Sequence, residues 1–265
     1  MIKLKDISLV FNEGTANENR VFKNFNLSVD KDDFITIIGS NGAGKTTLFN
    51  LLSGNVMPTS GKIFIDEKNV TRDPEFKRAN YIGRIFQDPL AGTASNMTLE
   101  DNMTICSKKG FKGLSISLNR KQRLFFKEQL KHLKMGLDER LKDNVGLLSG
   151  GQRQALTLLM MVLSNPELVL LDEHTAALDP RNAAIVLDLT RHFMETRKLT
   201  TLMVTHNMKH AIDYGNRLLM MDKGEVVVDI SGDEKKDLTV EKLIDMFSSV
   251  RKSAFVNDEA LLSND

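Results

Sequence analysis

The order of apolar and polar residues predicts that the chain begins with strands and then changes to helix. Residues 2–11 alternate apolar and polar side chains, and residues 21–29 do so more loosely, which is typical of half-exposed antiparallel strands. Residues 34–38 are apolar except for Thr36, as expected of a strand buried on both faces. Between residues 48 and 52 the apolar positions return at helical spacing, so a helix follows that strand closely.

Short apolar runs further along the chain predict more strands. These runs cover residues 62–66, 81–86, 168–171, 202–205, 218–221 and 225–228. The last two flank Asp222-Lys223-Gly224, which has the composition of a hairpin turn. Residues 98–163 have helical periodicity without clear strand runs, and therefore predict a separate helical lobe. A final amphipathic helix is predicted from Val240, Leu243, Ile244 and Phe247.

A glycine-rich segment between the buried strand and the first helix has the spacing of a phosphate-binding loop. Its residues are Gly39, Ser40, Asn41, Gly42, Ala43, Gly44, Lys45, Thr46 and Thr47. Glycines let successive backbone N–H groups turn towards a polyphosphate, and the helix that follows directs its positive dipole end to the same place. Lys45 adds a charge for the β- and γ-phosphates, and the Thr46 hydroxyl can bind Mg²⁺. The segment predicts binding of a nucleoside triphosphate rather than an ordinary glycine turn.

Polar residues with useful chemistry follow two of the predicted buried strands. Asp172 and Glu173 end one strand, and His206 follows another. Strand ends of an open α/β sheet face the ligand crevice. Asp172 is therefore expected in a Mg²⁺ shell, and Glu173 beside it can polarise the attacking water. His206 can reach a γ-phosphate from the same sheet edge.

Two more segments are candidates for nucleotide contacts. Phe11 ends the first strand, where it either stacks on an adenine ring or packs in the core; periodicity does not separate these alternatives. Ser149 is expected to be the N-cap of a helix that begins after glycines and offers backbone donors to an anion. A second anion cradle in one chain suggests that two chains share each nucleotide.

Taken together, these motifs resemble the ATP-binding subunit of an ABC transporter over nearly the whole chain. Residues 39–47 match Walker A, and residues 168–172 with Glu173 resemble Walker B and its catalytic glutamate. The most family-specific segment is the signature sequence Leu148, Ser149, Gly150, Gly151 and Gln152. Residues 177–180 resemble the D-loop. Gln87 resembles the Q-loop glutamine, His206 the switch histidine, and Phe11 the adenine-stacking aromatic residue.

The resemblance implies an α/β fold, with a P-loop NTPase core of mixed sheet, an antiparallel β part and an inserted α-helical signature lobe. The core is expected at about 1–90 and 164–230, the helical lobe at about 91–163 and a C-terminal helical tail at 231–265. The implied catalytic residues are Lys45, Gln87, Glu173 and His206. The implied metal ligands are Thr46, Gln87 and Asp172, which hold Mg²⁺ with ATP.

The resemblance also implies partners and a location. Two chains form an ATP-dependent head-to-tail homodimer, with each ATP between Walker A of one chain and the signature sequence of the other. Membrane permease subunits, whose coupling helices lie near the Gln87 loop, and an external or periplasmic solute-binding protein complete the complex at the cytoplasmic face of the bacterial membrane. The sequence around Gln87 and residues 172–180 resembles tryptophan- and tyrosine-type uptake systems, and more loosely branched-chain amino acid systems. His174 departs from the proline common in the family, and no catalytic role is assigned to it. An exporter or a non-transport ABC ATPase is the alternative.

Composition excludes some classes of partner and of structure. The net charge of the 265-residue chain is +1, so no global field recruits nucleic acid. A single cysteine, Cys106, excludes a disulfide framework. No apolar run approaches the roughly 20 residues of a membrane-spanning helix, so the chain is expected to be soluble by itself. Residues 107–134 hold nine basic residues against one acidic residue, which indicates a docking surface, a phosphate-binding patch or a solvated basic helix face.

Overall fold

The computed structural model describes residues 1–107 and 118–249. They divide into two compact units. Of the described residues, the first unit contains Met1–Leu51, Met57–Thr71 and residues 203–249, and the second contains Leu52–Val56 and residues 72–107 and 118–202. Residues 108–117, which belong to the basic segment 107–134, and residues 250–265 at the polar end of the chain lie outside the described residues. The division into core, helical lobe and tail stays a prediction.

Strands and helices alternate along most of the chain. The strands are β1 (Ile2–Phe11), β2 (Asn19–Val29), β3 (Phe34–Gly39), β4 (Ser60–Ile65), β5 (Lys68–Asn69), β6 (Ile82–Ile85), β7 (Leu168–Asp172), β8 (Thr200–Val204), β9 (Arg217–Asp222) and β10 (Glu225–Ser231). The helices are α1 (Lys45–Ser53), α2 (Glu75–Arg78), α3 (Leu99–Ser107), α4 (Arg120–Lys131), α5 (Gly150–Leu163), α6 (Pro180–Arg197), α7 (Met208–Asp213), α8 (Gly232–Lys236) and α9 (240–249). The predicted α/β fold class is confirmed.

In the first unit, an antiparallel sheet contains β2, β1, β4 and β5 in that order. Leu4 pairs with Leu27 on one side and with Ile63 on the other. These three side chains are buried, whereas their neighbours along the strands are largely exposed. The alternating sequence pattern therefore predicts this half-exposed sheet correctly, because side chains on a strand point alternately to its two faces.

The phosphate-loop strand of the first unit lies in a sheet that contains both a parallel and an antiparallel pair. β3 pairs in parallel with β9, with Ile37 opposite Leu219, and β9 forms the predicted hairpin with β10. At the end of β8, the Thr205 backbone N–H donates to the Ile37 carbonyl. The carboxyl ends of β3 and β8 thus lie side by side, at the edge where a parallel sheet binds ligands.

The last helices of the first unit pack against the sheet. Leu243 on α9 is fully buried with Ala211 and Leu238, whereas Ile244 is 46% exposed. On α8, the buried Lys235 ammonium donates to the carbonyls of Tyr214 and Gly215. These carbonyls belong to the two residues directly after α7, so the ammonium satisfies backbone acceptors next to the helix end.

The second unit pairs two short parallel strands and contains most of the helices. Ile85 of β6 lies opposite Leu171 of β7, and the four apolar residues of β7 are fully buried. α5 is buried along almost its whole length. The parallel register brings the residues after β6 and β7 to one sheet edge, which includes Gln87, Asp172 and Glu173.

Candidate functional site

In the first unit, the lysine of the phosphate loop forms hydrogen bonds with the loop's own backbone. Lys45 is 6% exposed, and its ammonium donates to the carbonyl oxygens of Gly39 and Ser40, each at 2.9 Å. Gly39 has no room for a side chain, because a Cβ there would lie 2.2 Å from the Met221 carbonyl oxygen. Gly44 has φ 98° with the Phe22 ring beside it, so a larger residue would be strained. The loop conformation depends on both glycines.

A hairpin turn that the sequence does not connect with the loop supports it from the side. The Ser40 hydroxyl donates to Asp222 Oδ1 at 2.8 Å, and the Gly224 N–H donates to the Ala43 carbonyl at 3.1 Å. Sequence analysis identified this turn only as the link between β9 and β10. No local signal indicates its second contact, since Asp222 lies 182 positions from Ser40.

The other nucleotide-binding candidates of the first unit lie at its surface. Asn41, Gly42 and Thr46 are exposed around the start of α1, and Thr47 is partly buried. Phe11 is partly buried and pairs through its backbone with Asn19. His206 is exposed. It comes directly after Thr205, whose N–H donates to the Ile37 carbonyl, so the His206 backbone lies at the sheet edge where the loop begins.

In the second unit, Asp172 at the end of β7 forms an ion pair with Arg84. Arg84 Nη2 lies 3.1 Å from Asp172 Oδ2, and their side chains are 10% and 13% exposed. The Arg84 guanidinium also lies 4.7 Å from the centre of the Phe86 ring, and its Nη1 donates to the Ser53 hydroxyl at 3.4 Å. Sequence analysis missed Arg84, whose position inside a strand gives no sign of a partner 88 residues away.

Glu173 and Gln87 lie at the same edge of the β6–β7 pair. Glu173 has φ 48°, a left-handed conformation that a residue other than glycine rarely adopts. Such positions cluster where function requires a particular geometry. Gln87 is exposed directly after Phe86. The structure thus brings together the second unit's three predicted strand-end residues.

The signature segment begins α5, as predicted for Ser149. The Ser149 hydroxyl accepts from the Gln152 N–H, and the Gln152 side chain accepts from the Ser149 N–H, which together form a capping box. Ser149 and Gly150 are exposed, whereas Leu148 is buried. The open helix start offers backbone donors and a positive dipole end to an anion.

The D-loop region lies against this helix start. A Cβ at Gly151 would lie 2.5 Å from Asn182 Cγ, so only glycine fits there. Asp179 caps α6, and the hydrogen bonds from the backbone and side chain of Asn182 lower the pKa of its carboxyl group. An ionised Asp179 stabilises the positive end of α6.

The strand, glycine loop and helix within this α/β fold define a nucleotide-binding ATPase of the P-loop class. The sequence model of the ABC transporter family matches residues 22–176, more than half of the chain. The chain belongs to the ABC transporter family, whose cassettes are ATPases coupled to transport, and it is an ATP-binding subunit.

Individual relatives agree with this assignment. The chain is 43% identical to the tyrosine transport ATP-binding protein of Clostridioides difficile over 93% of this chain and 98% of the relative. It is 29% identical to the methionine import ATP-binding protein MetN 2 of Oenococcus oeni, over 98% of this chain and 72% of the relative. A dimeric ATP-binding cassette, MJ0796, bound to ADP and Pi, superposes with a TM-score of 0.71 at 26% identity, over 87% of this chain and 98% of that one. Within the described residues, no helix has the length and apolar content needed to cross a bilayer.

Proposed function

We propose that this chain is the ATP-hydrolysing subunit of a bacterial importer, which energises uptake of an amino acid or a similar small solute through separate permease subunits. The observation that carries this proposal is its 43% identity, nearly end to end in both chains, to a tyrosine transport ATP-binding protein. The intact phosphate loop and signature helix start support the ATP chemistry.

Binding of ATP changes the partners of Lys45. Its ammonium bonds two loop carbonyls at 2.9 Å, and a phosphate oxygen offers a charged acceptor in their place. The loop N–H groups and the start of α1 then surround the β- and γ-phosphates. Phe11, at the end of β1, provides a ring for the adenine.

The proposed metal ligands fit Mg²⁺. The Thr46 hydroxyl, the Gln87 side-chain oxygen and the Asp172 carboxylate are oxygen donors, the type that this cation prefers, and it commonly keeps waters and phosphate oxygens as its other ligands. Arg84 bonds Asp172 Oδ2, which leaves Oδ1 available. Bound Mg²⁺ neutralises charge on the phosphates.

Hydrolysis is the in-line attack of water on the γ-phosphorus of ATP, which breaks the bond to ADP and releases phosphate. Glu173 polarises this water, and Gln87 orients it from the same strand edge. Lys45 stabilises charge on the transferred group. His206, at the end of β8, contacts the γ-phosphate and senses its presence.

The exposed signature helix start needs a second chain. We infer that Ser149 and Gly150 bind the γ-phosphate of ATP held by the Walker A loop of a partner copy, so that ATP closes a head-to-tail dimer. Closure moves permease subunits that contact the region near Gln87. This arrangement places the chain peripherally at the cytoplasmic face of the membrane, with a solute-binding protein on the other side.

Co-purification tests the transport role. The tagged full chain is isolated from detergent-solubilised native membranes, and its partners are identified by mass spectrometry. A multi-spanning permease in stoichiometric amount, with a solute-binding protein encoded or purified alongside it, supports the importer. A permease that accumulates its solute inside inverted vesicles when ATP is added, which is the direction of export, overturns it, as do ribosomal or division proteins in place of a permease.

A further inference from the structure

Gln154 is the fifth residue of α5, and it contacts the two segments that carry the proposed hydrolytic residues. It is 1% exposed. Its amide Nε2 donates to the carbonyl oxygen of Phe86 at 3.3 Å and to that of His174 at 2.6 Å. Phe86 immediately precedes Gln87, and His174 immediately follows Glu173. A single side chain therefore joins the signature helix to both segments.

The orientation of this amide is fixed by its neighbours. Reversing it would place Oε1 against two carbonyl oxygens, so the nitrogen must face them. In this orientation Oε1 is buried and has no hydrogen-bond partner within the described residues. A buried acceptor without a partner is costly, and an apolar side chain would avoid that cost. The amide is thus better explained by what its N–H groups hold than by packing.

His174, whose carbonyl accepts from Gln154, is also held through its side chain. His174 is 2% exposed, and its Nε2 lies 3.0 Å from the Thr190 hydroxyl, which in turn donates to the Val186 carbonyl at 2.8 Å. Because a hydroxyl has one hydrogen, His174 Nε2 is the donor to Thr190. Glu173, with its left-handed backbone, is immediately before this doubly held residue.

We propose that Gln154 is a positioning residue for ATP hydrolysis, which holds the backbone beside Gln87 and beside Glu173 in register with the signature helix. The inference rests on the proposed function, because it takes Glu173 and Gln87 as the residues that act on the attacking water. His174, the unexplained departure from the family pattern, is then the anchor through which Thr190 on α6 and Gln154 on α5 fix Glu173.

The test compares steady-state ATP hydrolysis and ATP binding of the full chain and four variants. Gln154→Met keeps the volume and removes both donors. Gln154→Glu keeps the shape and replaces the donors by an acceptor. Thr157→Val, one turn along α5, is the control, since it removes a buried bond to the Arg153 carbonyl without touching either segment. Glu173→Gln tests the proposed function itself.

The expected result is a change in kcat without a change in binding. Gln154→Met lowers kcat about 10- to 100-fold, the range typical of a misplaced catalytic group, and Gln154→Glu lowers it further. The ATP dissociation constant of both stays within about twofold of the wild-type value, because the phosphate loop is intact. Hydrogen exchange of the backbone around residues 172–176 becomes faster in both variants, and Thr157→Val behaves like the wild type.

Two further variants keep the proposal testable if the Gln154 variants do not fold. Thr190→Val removes the acceptor of His174 and is expected to lower kcat, and Thr190→Ser, which keeps the hydroxyl, restores it. Wild-type kcat in Gln154→Met or in Thr190→Val, with Glu173→Gln inactive, overturns the positioning role and leaves the proposed function standing. Wild-type turnover in Glu173→Gln overturns the proposed function and the positioning role together.

Discussion

At the scale of single residues, the Arg84–Asp172 pair determines how the acidic end of β7 is presented. Both side chains are largely but not fully buried, and Arg84 Nη2 lies 3.1 Å from Asp172 Oδ2. Removing one member of such a pair leaves an uncompensated buried charge. Arg84 also stacks on Phe86, so its planar guanidinium connects the backbone that leads to Gln87 with the carboxylate proposed to bind the metal.

We expect Arg84→Met to lower the free energy of unfolding by about 2–4 kcal/mol, because Asp172 is left unpaired. Adding Asp172→Asn to that variant removes the unpaired charge and restores much of the stability. ATP turnover stays low in the double variant, because the proposed metal ligand is lost. Urea unfolding and ATPase rates of the two single variants and the double variant measure both effects. Additive losses of stability would contradict the pairing.

The phosphate loop could be predicted from sequence, whereas the residues that support it could not. The loop's glycines, Lys45 and Thr46 lie within one short segment, and their spacing reflects one local structure. Asp222, Arg84 and Gln154 act through partners 182, 88 and 68 positions away in the chain, which no local pattern reveals. Ser149 was correctly predicted as an N-cap, because its capping box lies within four consecutive residues.

At the scale of elements, two capped helices allow stability to be separated from function. α4 and α5 both begin with a capping box, formed by Asn119 with Gln122 and by Ser149 with Gln152. Only the second helix start belongs to the signature segment. The local energetics of the two caps are comparable, so a difference between their variants reports on a functional role of the α5 start.

Ser149→Ala and Asn119→Ala are each expected to lower the free energy of unfolding by about 1 kcal/mol, through loss of the N-cap. Only Ser149→Ala is expected to slow ATP hydrolysis, because only that helix start is proposed to bind nucleotide. Chemical denaturation and ATPase assays under identical conditions measure both effects. Equal turnover in the two variants would contradict a role for the α5 start.

Because Lys235 on α8 is buried, the stability of the first unit varies with pH in the alkaline range. Burial lowers the pKa of Lys235 to about 8, while the carboxylate of Asp213 acts in the opposite direction. The folded protein binds this proton more weakly than the unfolded chain. Stability from this group is therefore fully present above pH 10.5 and is lost as the pH falls through about 8.

Between pH 7.5 and pH 10, we expect the wild-type protein to gain about 2 kcal/mol of stability relative to Lys235→Met. Urea unfolding at several pH values gives this difference. Lys236→Met is the matched control, because the neighbouring side chain is exposed and pairs with Asp233. It should follow the wild-type pH dependence. A Lys235→Met variant with the wild-type pH dependence would show that the buried ammonium does not cause the effect.

Among the elements, strands with a clear burial pattern were predicted well, whereas β5 and α8 were missed. The alternation in β1 and β2 and the apolar run of β7 follow directly from burial on one face or on both. β5 has two residues and α8 has five, too few for any periodicity to be visible. Ile244 belongs to the apolar pattern of α9 and is nevertheless exposed, since the packing against Ala211 and Leu238 centres on Leu243.

At the scale of the whole molecule, the proposal explains the two candidate anion-binding sites by an assembly of two chains. The loop around Lys45 and the helix start at Ser149 each offer backbone donors, and the proposal assigns them to one ATP held between two copies of the chain. The resemblance to a dimeric ATP-binding cassette with ADP and Pi is in keeping with this assembly. In this proposal hydrolysis opens the dimer, and Glu173 determines how long the dimer stays closed.

The most direct test is the Glu173→Gln variant of the full chain, studied by size-exclusion chromatography with light scattering in the presence of MgATP or MgADP. The account predicts that it binds ATP with wild-type affinity, hydrolyses almost none and elutes as a dimer with ATP and as a monomer with ADP. A second substitution, Ser149→Arg, should abolish that dimer without weakening ATP binding. Turnover near the wild-type rate, or a monomer in saturating MgATP, would contradict the account.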